Sequence, residues 1–388
     1  MSKLDELIQE YCPEGVEYRS LVSLCKIETG KLNANAAVEN GPYLFFTTAK
    51  EISRIDKYRW DTEALLIAGN ANVGDVKHYE GKFDAYQRTY VLNSFDKGIS
   101  VRFLYFFVSS ALKSYLENRT NSAAMTYIVL STLQDFKVPI PPLEVQKEIV
   151  NILDKFTQLE AELSAELDAR RKQYEYYKNT LLKPDEEVSW KTIGEVCEVG
   201  DGNHSSSYPK ASEMVEQGIP FIRGTNIVDG TISGKDMKYI SEEKHTKLKK
   251  GHLKANDVLV TNRGEVGKIA IIPEQFSNSN LNSQIAWLRA DTHILLPKYL
   301  FFIMNANFIQ NKIIGEGGAL KQLTIKNLKL LKIPVPPISK QEEVVEVLDN
   351  FDKLTNDKMM GIPAEIDARR QQYEYYRTKL LTFQELSA

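Results

Sequence analysis

Apolar positions along this chain follow two rhythms. From Leu143 onward, Ile149, Leu153, Phe156, Leu159, Leu163, Leu167, Tyr174, Tyr177 and Leu181 recur at spacings of three, four or seven, the stripe that one face of an α-helix presents to a packing partner. Pro141-Pro142 precede this stretch, and Pro336-Pro337 precede a similar one. Proline removes a backbone donor and fixes φ, so each pair ends a strand-like run and hands over to a glutamate-rich first turn suited to a helix N-terminus. At about 1.5 Å per residue a helix from Leu143 to Leu182 would span roughly 60 Å, longer than a small domain needs, which makes it a spacer. The other rhythm is short and β-like. PYLFFTT, ALLIAG, TYVL, IPFIRG, DVLVTN, KIAII and QIAWL, separated by Gly and Asn, read as strands, and SVRFLYFFVSSALKSYL and LPKYLFFIMNANFIQNKI read as one helix each ahead of the proline pairs.

The sequence is also a duplication. LDARRKQYEYYKNTLL from Leu167 aligns without gaps to IDARRQQYEYYRTKLL from Ile366, with 11 of 16 positions identical. Upstream, VPIPPLEVQKEIVNILDKF (Val138–Phe156) answers to IPVPPISKQEEVVEVLDNF (Ile333–Phe351), keeping the proline pair, one glutamine and the Leu-Asp-x-Phe ending. Weaker echoes pair Val16–Gly30 with Val188–Gly202 and Leu65–Val76 with Val258–Ile269, and set Gln87 and Tyr90 opposite Gln284 and Trp287. The fold class that follows is α+β: an internal two-fold repeat of two mixed α/β modules, each followed by a long helical spacer. The divisions are residues 1–142 (first module, with an N-terminal helix), 143–184 (central helical spacer), 185–337 (second module) and 338–388 (C-terminal helical spacer). Between Phe351 and Asp367 the second copy has four more residues than the first has between Phe156 and Asp168, including Gly361-Ile362-Pro363, so a break or kink is expected there.

Composition narrows the function classes. A chain of 388 residues with 43% hydrophobic and 26% charged residues suits two ordinary globular domains. Its apolar runs are about half the roughly 20 residues of a spanning helix, and the N-terminus lacks a signal-peptide core, so a cytoplasmic protein is expected. Three scattered cysteines, Cys12, Cys25 and Cys197, fit free thiols in a reducing compartment. A net charge of −3 gives no global pull toward nucleic acid, so a DNA-binding surface must come from segregated charge.

Catalytic signatures are missing. GEVGK at Gly264–Lys268 has the wrong spacing for a P-loop and reads as a strand-to-turn sequence; there is no G-x-G-x-x-G after a strand, no aromatic-capped Asn-Pro-Pro, no H-E-x-x-H and no paired CxxC. The five histidines are scattered, and Cys25 and Cys197 occupy equivalent repeat positions that suit packing. No catalytic residue and no metal ligand is assigned.

The two-fold layout, the I-P-x-P-P…Q-x-E-[IV]-V-x-[IV]-L-D-x-F run, the Leu-x-Ala-Glu-Leu-x-Ala-Glu-Leu rhythm at Leu159–Leu167 and the R-[RK]-x-Q-Y-x-Y-Y phrase together resemble the specificity (S) subunits of type I restriction-modification systems. The resemblance implies a non-catalytic subunit in which two target-recognition domains, separated by two long antiparallel helices forming a coiled coil, each read one half of a split double-stranded DNA target. It implies two modification (M) subunits that dock on the helical regions and methylate adenine with S-adenosylmethionine, and restriction (R) subunits that use ATP and Mg. The chain itself would hold no cofactor. Two other readings are weighed beside it: a specificity subunit serving a combined methyltransferase-nuclease, and a helical scaffold that reads no DNA.

Base edges are read by Asn, Gln, Arg and Lys, and phosphates by Lys, Arg, Ser, Thr and backbone amides. Candidates in the first module are Asn33, Asn35, Thr47, Lys50, Asn70, Asn72, Gln87, Arg88, Arg119 and Asn121. In the second they are Asn203, His204, Ser205, Tyr208, Arg223, Thr225, Asn226, Asn262, Arg263, Gln284, Lys321 and Gln322. The duplicated phrase supplies candidates for partner docking: Arg170, Arg171, Tyr174, Tyr176 and Tyr177, with Arg369, Arg370, Tyr373, Tyr375 and Tyr376. Three tyrosines within four residues cannot all face one helix seam, and Tyr and Arg are favoured interface anchors. One four-residue helical unit is about 6 Å, of the order of one to two base-pair steps of roughly 3.4 Å. Deleting Glu160–Leu163 is therefore expected to shorten the gap of a split methylated motif while leaving both half-sites unchanged, which methylome sequencing reads directly; altered half-site bases would contradict the spacer role.

Overall fold

The computed structural model describes residues 3–119, 127–204, 208–314, 323–357 and 360–386. The chain divides into two units, Met1–Leu163 with Ile366–Ala388, and Ser164–Glu365. Each unit joins one mixed module to the first part of its own following helix and the last part of the other repeat's helix.

In the first unit the module is a six-stranded sheet with the order Lys26–Thr29, Thr89–Asn93, Trp60–Ala68, Val76–Ala85, Tyr43–Phe46, Ser53–Ile55. All pairings are antiparallel except that of Tyr43–Phe46 with Val76–Ala85. The helix Val101–Asn118 lies against it, started by Ser100, whose hydroxyl accepts from Phe103 N–H, the N-cap that a first turn of orphan donors calls for. Phe103, Leu104, Phe106, Val108 and Leu112 bury its apolar face against Leu65, Ile67 and Leu92. The N-terminal helix Lys3–Tyr11 adds Leu4 to the same core.

The second unit repeats the central ladder. Its first sheet has the order Cys197–Asp201, Ile285–Ala290, Val258–Thr261, Ile269–Ile271, matching the first four strands above. Where Tyr43–Phe46 joins the main sheet directly, the corresponding Ile219–Ile222 belongs to a separate sheet and pairs in parallel with Asn280–Leu281. The ladders also correct one alignment made from sequence. Leu65 faces Leu92 and Val258 faces Leu288, and Gly69 N–H bonds Arg88 O as Asn262 N–H bonds Gln284 O. Arg88, not Gln87, is therefore the structural mate of Gln284.

The spacers begin where the proline pairs place them. The first is one helix, Leu143–Leu181, of 39 residues, and the second is two helices of 19 residues, Ile338–Asn356 and Ile362–Leu380. The interruption falls at Gly361, where a Cβ would sit 2.5 Å from the Lys353 carbonyl oxygen. The stretch LPKYLFFIMNANFIQNKI, read from sequence as one helix, is two, Pro297–Met304 and Asn307–Ile314. Asn305 ends the first by donating its side-chain amide to Phe301 O at 2.9 Å, the local competition with the helix ladder that makes Asn a stop signal.

A buried glutamine anchors each spacer to its module. Gln146 accepts from Ser100 N–H (2.8 Å) and donates to Gly98 O (2.9 Å) and Pro141 O (2.7 Å). Gln341 accepts from Leu296 N–H (2.8 Å) and donates to Ile294 O (2.9 Å) and Pro336 O (2.8 Å). Both are fully buried. One side chain thus ties the entry of the module helix to the exit of the proline pair, and an ion pair continues the joint: Arg102–Asp154 at 2.6 Å in one unit and Lys298–Asp349 in the other. Replacing Gln146 or Gln341 by Leu strands one buried donor and two buried acceptors at about 1–3 kcal/mol per group. A loss of at least about 2 kcal/mol is expected, a Tm lowered by roughly 4 °C or more; an unchanged thermal melt would contradict the anchor.

Candidate nucleic-acid interface

In the first unit several strands end at one rim of the sheet. Tyr86 N–H and Thr89 Oγ1 both donate to Phe46 O, at 2.9 and 3.1 Å, and Gly69 N–H donates to Arg88 O at 2.8 Å. Gln87 N–H donates to Leu32 O at 2.9 Å, and Asn72 Nδ2 to Thr48 O at 2.7 Å. These bonds draw the segments around Asn33, Thr47–Lys50, Asn70–Asn72 and Gln87–Arg88 into a single cluster. Asn33, Asn35, Lys50, Gln87 and Arg88 are exposed, while Thr47, Asn70 and Asn72 are half-buried. Asn70 Oδ1 is buried with no hydrogen-bond partner, and the Asn70 backbone bridges to Tyr127. Tyr127 is 57% exposed and is a rim residue that sequence reasoning missed; an aromatic beside turn-forming polar residues was the available signal. Arg119 is exposed at the end of the module helix with its guanidinium 4.6 Å from the Tyr115 ring centre. Asn121 lies outside the described residues.

The second unit builds a matching rim. Asn262 N–H bonds Gln284 O (2.9 Å), Leu323 N–H bonds Asn262 O (2.9 Å) just as Ile128 N–H bonds Gly69 O (2.8 Å), and Asn282 N–H bonds Ile222 O (2.9 Å). Asn282 Nδ2 reaches the Tyr208 hydroxyl at 3.3 Å. The turn GEVGK joins two strands; Gly267 N–H bonds Thr261 O and Gly74 N–H bonds Ala68 O, both at 3.0 Å. Ala71 and Gly264 hold the same place in this turn with φ of +55° and +75°, so one backbone path carries unlike side chains. Thr225, Arg263 and Gln284 are exposed and Tyr208 is half-buried. Asn262 is 5% exposed, its Oδ1 without a partner. Arg223 is half-buried and donates to Asp236 O at 2.6 Å.

Three sequence candidates have internal work instead. Asn226, 1% exposed, accepts from Arg223 N–H and donates to Ser233 O and Lys235 O. Asn203, 5% exposed, donates to Lys250 O and accepts from Lys249 N–H. Their polar atoms are spent on backbone, so neither side chain presents an edge to a base. His204 Nε2 meets Asp201 Oδ2 at 2.7 Å. Burial alone would raise the Asp201 carboxyl, but hydrogen bonds from His204 and Lys250 hold it below the usual range. Ser205, Lys321 and Gln322 lie outside the described residues.

The duplicated phrase sorts its tyrosines identically in both copies. Tyr177 stacks on Phe351 (5.3 Å between ring centres) with Tyr174 beside it (6.4 Å). Tyr376 stacks on Phe156 (5.6 Å) with Tyr373 beside it (6.2 Å). Tyr176 and Tyr375 point away, 66% and 63% exposed. Arg171 and Arg370 are exposed, and Arg370 Nε meets Glu160 Oε1 at 2.6 Å. Because Phe156 meets Tyr373 and Tyr376 while Glu160 meets Arg370, the two helices run antiparallel within this unit. Arg170 and Arg369 are half-buried and reach Gln173 and Gln372, each at 3.1 Å. Cys25 and Cys197 are buried, and burial pushes both thiols up to about 12, which suits packing. Among the described residues no group of three or more His, Cys, Asp or Glu is placed to hold a metal, and no helix is long and apolar enough to cross a membrane.

The Type I restriction modification DNA specificity domain family matches residues 13–169 and again 185–368. The chain belongs to this family, as a DNA-recognition and not a catalytic subunit of a type I restriction-modification enzyme. It is 33% identical over 344 residues, 85% of each chain, to a putative type I restriction enzyme specificity subunit of Haemophilus influenzae. The Escherichia coli EcoR124I/EcoR124II specificity subunit is 37% identical over 272 residues, 66% of this chain and 65% of that one. The crystal structure of a type I S subunit from M. genitalium has the same fold, with a TM-score of 0.61 over 95% of this chain and 96% of that one at 17% identity.

The split among the tyrosines has a measurable consequence. Tyr177→Ala and Tyr376→Ala should each cost at least about 1 kcal/mol, since each loses a ring stack. Tyr176→Ala and Tyr375→Ala should stay within about 0.5 kcal/mol of the parent. Thermal or urea unfolding of the four variants decides this, and equal losses would contradict the assignment.

Proposed function

We propose that the chain reads a split DNA target, one half-site per module, and holds two modification subunits to it through the two copies of the tyrosine phrase. The observation that carries this reading is the rim built twice from one backbone plan with unlike exposed side chains, which is what two different half-sites require. In the first module the reading set is Asn33, Asn35, Thr47, Lys50, Asn70, Asn72, Gln87 and Arg88, with Tyr127 added. In the second it is Tyr208, Thr225, Asn262, Arg263 and Gln284, with Arg223 positioned behind them. Arg and Lys suit guanine, and Asn and Gln suit adenine.

Tyr176 with Arg171, and Tyr375 with Arg370, are the exposed parts of the two docking handles. S-adenosylmethionine belongs to the docked modification subunits, and ATP and Mg to the restriction subunits that join them. The complex works on cytoplasmic DNA. The names borne by the relatives and the likeness in fold to an S subunit support this reading.

Methylome sequencing with and without the gene tests it. A split adenine-methylated motif should vanish on deletion, and an expressed system with no such motif would refute the proposal. Arg263→Ala should relax one base position of a single half-site, a loss of about 1–3 kcal/mol in discrimination. The other half-site and the gap should not change; a change in both half-sites would show that the modules do not read independently.

A further inference from the structure

We propose that Lys249 and Lys250 form a DNA-phosphate contact point beside the reading rim of the second module, an inference that rests on the DNA-reading function above. Stretch 235–254 carries seven lysines against three carboxylates in a chain whose net charge is −3, so positive charge is concentrated here. Some of it is neutralised locally: Lys244 pairs with Glu213 at 2.8 Å and Lys247 with Glu243 at 2.5 Å. Lys249 is exposed and has no ion-pair partner among the described residues. Lys250, 58% exposed, meets Asp201 at 3.2 Å, and Asp201 is already engaged by His204.

The backbone beneath these two ammonium groups is fixed. Asn203 donates to Lys250 O (2.6 Å) and accepts from Lys249 N–H (3.3 Å), and Asn280 Nδ2 donates to the same Lys250 oxygen at 3.2 Å. Gly251 follows with φ +78°, and any Cβ there would press on Asn280 Oδ1 at 3.1 Å. Two steps lead from this turn to the rim. Gly202, adjacent to Asn203, packs against the backbone of Leu281 and Asn282, leaving 2.4–2.8 Å for a Cβ. Asn282 in turn holds Gln284 N–H at 2.7 Å and the Tyr208 hydroxyl. A buried side chain that sequence suggested as a base reader is thus the brace that sets two lysines at a constant offset from the reading residues. Phosphate contacts fix register without reading sequence, and a rigid turn limits the ordering cost to the two side-chain stems.

The test is a salt titration of DNA binding by the full-length chain, using a fluorescent duplex of mixed sequence. K249Q/K250Q is compared with K329Q/K332Q, which removes the same charge from exposed lysines packed beside Gly194 and Thr192, just ahead of Cys197 and so at the opposite end of strand Cys197–Asp201 from Asp201. Each phosphate contact contributes about 0.9 to the slope of log Kobs against log salt, so K249Q/K250Q should flatten it by about 1 to 2. Between 50 and 200 mM salt the parent should then lose roughly 3- to 12-fold more affinity than this variant, while K329Q/K332Q keeps the parent slope and both variants keep the parent's methylated motif. A parental slope in K249Q/K250Q, or equal flattening in both variants, overturns the lysine proposal and leaves the reading function standing. Failure of the parent to bind duplex at any salt overturns both.

Discussion

The structure depends on the stacking of each repeat's tyrosines on the other repeat's phenylalanine. Phe156 receives Tyr373 and Tyr376, and Phe351 receives Tyr174 and Tyr177. Aromatic pairs of this kind contribute about 0.5–1.5 kcal/mol beyond their buried area, and Lys178 and Arg377 cover Tyr174 and Tyr373 from above, each 5.5 Å from the ring centre. Neither repeat closes alone, because each unit needs a helix segment supplied by both. That dependence explains why the tyrosine phrase and the Leu-Asp-x-Phe ending are the most closely matched parts of the duplication: they are the two sides of one contact, made twice. The copies differ at one point. Glu160 pairs with Arg370, whereas the place corresponding to Glu160 is Thr355, fully buried near the break at Gly361.

The proposed reading rims obey the opposite rule. Their geometry is set by backbone hydrogen bonds, Gly69 to Arg88 and Asn262 to Gln284, Gly74 to Ala68 and Gly267 to Thr261, so the exposed side chains carry little of the folding load. Under the proposed reading, specificity can then change at Arg88 without disturbing the sheet. Recognition needs that separation, since a base-reading side chain that also braced the fold could not be exchanged. Asn203 and Asn226 mark the boundary, polar side chains in the right region that are committed to bracing.

Much of this was legible in the sequence, for physical reasons that differ element by element. The long helices were, because a proline pair, a polar first turn and a regular stripe are local signals. The seven short apolar runs each contain a strand. Strand Val76–Ala85 was missed: VKHYEGKFDA lacks alternation, and it is held as a strand by pairing on both sides, with Trp60–Ala68 and with Tyr43–Phe46. The glutamine shared by the repeats was noticed, but its bonds to Ser100, Gly98 and Pro141 are tertiary and leave no local trace. The same holds at the rim. Residue type could nominate Asn203 and Arg263 alike, and burial separates the brace from the exposed candidate. The one-residue shift that pairs Arg88 with Gln284 arises because the connection before each final strand differs in length between the modules, which alignment of short echoes cannot see.

On the proposed function, recognition is divided between two independent modules while the helices alone set the distance between their half-sites. The most direct measurement is the methylated motif produced by a chimaera in which residues 185–337 are replaced by the second module of a relative with a different target. One half-site should change to that of the donor, with the other half-site and the length of the gap retained. A motif in which the retained half-site or the gap also changes would contradict the claim.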